Sequence, residues 1–71
     1  MNAYQLELKI ASKGISKRQL SEMLNVNYQT FLRKLNNQYD FKLGEVKKIK
    51  EILQLKNDDI IEIFFGGLRH E

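Results

Sequence analysis

Between Ser16 and Asn37 the chain sets two pairs of apolar residues one helical turn apart, Leu20/Leu24 and Phe31/Leu35, with polar residues between them. A pair at i, i+4 gives a helix one apolar face, and the interruption at 25–27 forbids one continuous helix. The stretch therefore predicts two short helices joined by a tight turn, over about 16–37. Val26 falls in the turn, where it can fill the angle between them. The other face carries Lys17, Arg18, Tyr28, Gln29, Arg33, Lys34 and Asn36. Local signals agree with these boundaries. Ser16 is a favourable N-cap, and Gln19 three residues on completes a capping-box pattern. Asn25 suits a turn position of positive φ better than most residues with a Cβ. Asn27 caps the second helix. In a helix-turn-helix of this kind one helix lies in the DNA major groove while the other braces it across the backbone.

The flanking segments extend the helical pattern. Leu6 and Ile10 make a stripe on a helix from Ala3 to Lys13, and Gly14 follows where a left-handed terminus favours glycine. Ile15 turns into the core. After the polar run Asn36–Asp40, Phe41 and Leu43 lead into a fourth helix whose buried face is Val46, Ile49 and Leu53, with Lys47, Lys48 and Lys50 on other sides. Asn57, Asp58 and Asp59 are read as caps and first-turn acids of a fifth helix, which Gly66 and Gly67 stop. No strand pattern is present. The fold expected is all-α, a compact five-helix bundle, with residues 1–71 as a single domain. Its core is expected to hold Leu6, Ile10, Leu20, Leu24, Val26, Phe31, Leu35, Val46, Ile49, Leu53 and Phe64.

Composition narrows the function. The chain has 71 residues, no Cys and no Pro. Disulfides and thiolate metal sites are thereby excluded. No apolar run approaches the roughly 18 residues of a membrane span, and no secretory leader is visible, so a cytoplasmic protein without membrane contact is expected. From Lys9 to Lys50 ten Lys or Arg residues face three acids, a net +7, whereas the segment from Glu51 onward is net −3. A basic body with an acidic end can approach a polyanion in one orientation.

The runs ISKRQLSEMLNVNYQTFLRKLNN, DFKLGEVKKIKEILQL and DDIIEIFF resemble the Cro/repressor-type (XRE-like) helix-turn-helix regulators of temperate phages and bacteria, from the first helix to Phe65. The resemblance implies the lambda-repressor-like fold and a DNA-binding regulator of a lysis/lysogeny-type switch in a bacterial host cell. Five positions depart from the family pattern. Ser21 stands where a small Ala is usual, Asn25 where Gly is usual, and Lys17 where many relatives have Gln. Ile10 and Leu35 replace an Arg–Glu pair that some relatives bury, a swap that is often neutral or stabilising.

Geometry then assigns roles. The first turn of the second helix of the motif, and the face one turn on, point into the groove. Tyr28, Gln29 and Arg33 are the candidates for base edges: Gln suits adenine N6/N7, and Arg suits guanine O6/N7. Lys17, Arg18, Asn27, Lys34, Asn36 and Lys42 are the candidates for phosphate contact. The bland alternative is a solvated helix face. Parts for an enzyme are missing, since the single His70 lies near the chain end and no nucleophile has a base in view. No cofactor, metal or small-molecule substrate is expected. In the fifth helix, about 57–65, Ile60 and Phe64 fit one inward stripe with Ile61 beside it. Ile61, Ile63, Phe65 and Leu68 are the association candidates, with Ile63 and Phe65 pointing away from the core. The partner would be a second copy, forming a dimer on a two-fold operator. Alternatively the protein is a modulator of repression (antirepressor), which binds a partner repressor and blocks its DNA binding.

Overall fold

In the computed structural model, which describes residues 1–65, five helices follow one another. They are α1 Ala3–Ser12, α2 Lys17–Met23, α3 Tyr28–Leu35, α4 Leu43–Leu53 and α5 Asn57–Phe64. No strand occurs among the described residues, and none of these helices is long and apolar enough to cross a membrane.

Each helix starts where a side chain can take up a free backbone N–H. Asn2 Oδ1 accepts from Gln5 N at 3.1 Å and opens α1. At α2 the reciprocal box forms: Gln19 N donates to Ser16 Oγ at 2.9 Å, and Ser16 N donates to Gln19 Oε1 at 2.8 Å. Asn27 Oδ1 accepts from both Gln29 N and Thr30 N at the head of α3. At α4 and α5 an acid three residues into the helix reaches back instead, Glu45 to Lys42 N and Asp59 to Lys56 N, both at 2.9 Å. The α5 boundary therefore differs from the sequence expectation. Asn57 is already helical, and of the three expected capping residues Asp59 makes the backbone bond.

The first four helices end by left-handed closures. Gly14 has φ +72° after α1, where glycine is free of steric cost. Asn25, Asn37 and Gln54 adopt φ 58°, 66° and 55° without that freedom. Around each of them the chain makes the paired 6→1 and 5→2 hydrogen bonds of a Schellman motif. Val26 N donates to Ser21 O and Asn25 N to Glu22 O after α2. Gln38 N to Arg33 O and Asn37 N to Lys34 O close α3, and Leu55 N to Lys50 O and Gln54 N to Glu51 O close α4.

The core is one cluster: Leu6, Ile10, Leu20, Leu24, Phe31, Leu35, Ile49, Leu53, Leu55 and Ile63. Val26 and Phe64, expected in the core, pack against its edge and are only partly buried, and Val46, also expected there, is half-buried. Phe41 joins α3 to α5, edge-on to Phe31 at 5.8 Å and to Phe64 at 6.0 Å between ring centroids. Ile10 and Leu35 are both core residues, so apolar packing stands where some relatives bury an ion pair.

The assignment of Ile63 to the outer face is overturned, because its side chain is 0% exposed. Ile60, Ile63 and Phe64 share an i, i+3, i+4 stripe, and Ile60, Ile61 and Phe64 share an i, i+1, i+4 stripe with Ile61 on the opposite flank. Alpha-helical spacing alone does not choose between the flanks. Packing against α1 chooses: Asn2 N donates to Ile63 O at 2.6 Å, holding the Ile63 flank inward. Ile61 is half-buried and Phe65 stays exposed.

Candidate nucleic-acid interface

The exposed face of α3 is set by its buried one. Phe31 and Leu35 are core residues, so residues about half a turn away must face solvent. Gln29 and Arg33 meet that condition, four positions apart and both exposed. Asn36, directly after the helix, is exposed and continues the same face. Arg33 forms no ion pair with any acid among the described residues, which leaves its guanidinium fork open to a base edge. Tyr28 is half-buried at the first position of α3, on the flank nearer α2. Its ring lies under Arg18, whose Cζ is 4.1 Å from the ring centroid.

Around this face stand the remaining basic groups. Lys17 opens α2 and pairs with Glu7 of α1 at 3.5 Å, both side chains being close to half exposed. Such a pair contributes about 0–1 kcal/mol, little enough for a phosphate to displace the carboxylate. Arg18 and Lys42 are exposed. Asn27 is exposed too; its Oδ1 is committed to the cap, and its amide N–H groups remain as donors.

Lys34 does not belong to the interface. Its ammonium donates to both carboxylate oxygens of Glu45, at 2.8 and 2.9 Å. The two side chains keep only 8% and 15% of their exposure. The same ammonium sits 6.0 Å from the Phe41 ring centroid. The physical reason is positional: Lys34 is three residues after Phe31 and adjacent to Leu35, so it falls on the inward stripe. There its charge needs a partner, and Glu45 in the first turn of α4 supplies one. Burial pushes the Glu45 carboxyl up. The Lys34 hydrogen bonds, the Lys42 backbone N–H and the two lysine charges outweigh it and hold the group below the usual carboxylate range. Asp59 is also held low, by the Lys56 backbone N–H against a small desolvation effect and with the help of Lys9 at 3.6 Å.

Sequence reasoning missed an apolar groove on another face. It holds about 430 Å³ between α4 and α5, lined by Leu43, Val46, Ile60, Ile61 and Phe65, with Lys47, Lys50 and Asn57 along its edge. Leu43 is 68% exposed and Phe65 54%, and both lie at this one groove. Of the association candidates, Ile61 and Phe65 line this groove, Ile63 lies in the core, and Leu68 falls outside the described residues. The i, i+3 spacing of Leu43 and Val46 was the available signal, hidden because Leu43 reads equally well as a helix lead-in.

A family model described as Cro/C1-type HTH DNA-binding domain matches residues 5–65. No curated protein and no solved structure matches the chain.

Proposed function

The chain belongs to the Cro/C1-type helix-turn-helix DNA-binding domain family, and on that premise we propose that it is a sequence-specific, non-enzymatic transcription regulator working in the cytoplasm. Helix α3 lies in the major groove of operator DNA. Gln29 and Arg33 read base edges there, and Tyr28 packs on a thymine methyl or bonds a phosphate. Lys17, Arg18, Asn27, Asn36 and Lys42 hold the backbone. The single observation that carries this reading is the exposed Gln29–Arg33 pair on the face of α3 opposite Phe31 and Leu35.

The operator is two-fold and the protein binds it as a dimer. The groove between α4 and α5 supports this part of the reading. Exposed apolar surface rimmed by polar groups is what an isologous contact needs, with Ile61 and Phe65 of each copy seated against Leu43 and Val46 of the other. Two-fold pairing would set half-sites about 34–36 Å apart. The lysis/lysogeny-type role belongs to the same proposal. Operator selection from random duplex DNA at several salt concentrations tests it, and a two-fold consensus is the expected result. Sedimentation separates the antirepressor alternative: a monomer that binds no DNA but forms a complex with a neighbouring repressor would replace the operator reading.

A further inference from the structure

Arg18 and Tyr28 belong to different helices, yet their side chains form one unit. Tyr28 is the first residue of α3, and the Asn27 cap fixes the backbone beside it through Gln29 N and Thr30 N. Its ring is less constrained, since a half-buried side chain in a first turn has no preceding turn to pack on. The guanidinium of Arg18, 4.1 Å from the ring centroid, supplies that constraint. The backbone that carries Arg18 is fixed within α2, its carbonyl accepting from the buried Ser21 Oγ at 2.7 Å. One face of a guanidinium stacks on a ring while its N–H edges stay free to bond a phosphate. A phosphate that fixes Arg18 therefore also fixes the orientation of Tyr28.

We infer that Arg18 is a positioning residue for sequence recognition, aiming the Tyr28 ring at its base pair through the stack. This rests on the DNA-binding reading above. The contact at such an exposed site is worth about a two- to five-fold preference for the stacked rotamer. Lysine substitutes poorly, because an ammonium is attracted to a ring but has no planar face to stack on it while its edges bond a phosphate. Arg18→Lys therefore separates aiming from plain phosphate binding.

The experiment is operator selection and salt-dependent binding for wild type, Arg18→Lys, Arg18→Ala, Tyr28→Ala and the Arg18→Lys/Tyr28→Ala double variant, with thermal unfolding as a check on folding. Arg18→Lys is expected to keep the salt slope while lowering preference at one base pair about two- to five-fold. That base pair is the one Tyr28→Ala relaxes, and the double variant discriminates no worse than Tyr28→Ala alone. In the free protein, NMR should show the Arg18 δ-protons shifted by the Tyr28 ring current, an effect lost in Tyr28→Leu. A selection profile for Arg18→Lys identical to wild type overturns the inference and leaves the DNA-binding reading standing. So does Arg18→Ala that weakens all sequences equally and reduces the salt slope by about 1. A wild type with no salt-dependent affinity for any DNA overturns both.

Discussion

Removing the Lys34 ammonium would leave a charged Glu45 with its main partner gone in a largely buried position. Lys34→Ala should therefore cost about 3–5 kcal/mol in chemical denaturation, whereas Lys34→Met combined with Glu45→Leu should come close to wild type. The same pair gives a pH dependence with a definite sign. The Glu45 carboxyl is held low in the folded protein, so its contribution is complete above the unfolded value of about 4.3 and is lost as pH falls through the folded value. Asp59, shifted the same way, adds to the acid limb. Thermal unfolding between pH 7 and pH 2 should show stability falling below about pH 4.3, and Glu45→Gln should flatten that fall. At this scale the sequence was legible where residue type and position agree. Gln29 and Arg33 are polar and lie opposite the core pair. Lys34 was misread because its chemistry pointed outward while its spacing from Phe31 pointed inward, and no local signal named Glu45, eleven residues away.

Among the elements, the starts of α1 to α3 follow from their own sequence, because a cap is a bond between neighbours. Asn27→Ala should cost about 0.5–2 kcal/mol and loosen the first turn of α3, read as faster amide exchange at Gln29 and Thr30. The ends of α2, α3 and α4 carry a cost, since Asn25, Asn37 and Gln54 hold left-handed backbone. Gln54 is the least suited of the three residue types. Gln54→Gly should raise stability by about 0.5–1 kcal/mol, the relief of left-handed strain less the extra entropy of an unfolded glycine. A drop instead would mean that the Lys13 Nζ to Gln54 Oε1 bond at 2.8 Å outweighs the strain. Which flank of α5 turns inward was not legible, because Ile61 and Ile63 are equally apolar. The choice came from α1, whose N-cap Asn2 donates its backbone N–H to Ile63 O.

For the whole molecule, a ten-residue apolar core drawn from all five helices, the end of α2 and the turn after α4 holds the outer face of α3 away from the groove at α4 and α5. The groove arises where Leu43 of α4 meets Ile61 and Phe65 of α5, so no single segment encoded it. Phe65→Ser should leave the thermal midpoint nearly unchanged, since that side chain is exposed, and shift sedimentation toward the monomer. Loss of pairing should also weaken binding to a two-fold operator far more than to a single half-site. The central claim is that α3 reads DNA, and the most direct measurement of it is binding of wild type, Arg33→Ala and Lys17→Ala to the selected operator across a salt series. Wild-type affinity should fall linearly with log salt. Arg33→Ala should lose about 1–3 kcal/mol of discrimination at one base pair, and Lys17→Ala should weaken every sequence alike with a salt slope lower by about 1. Affinity for duplex DNA that is absent at low ionic strength, or that Arg33→Ala leaves unchanged at every base pair, would contradict it.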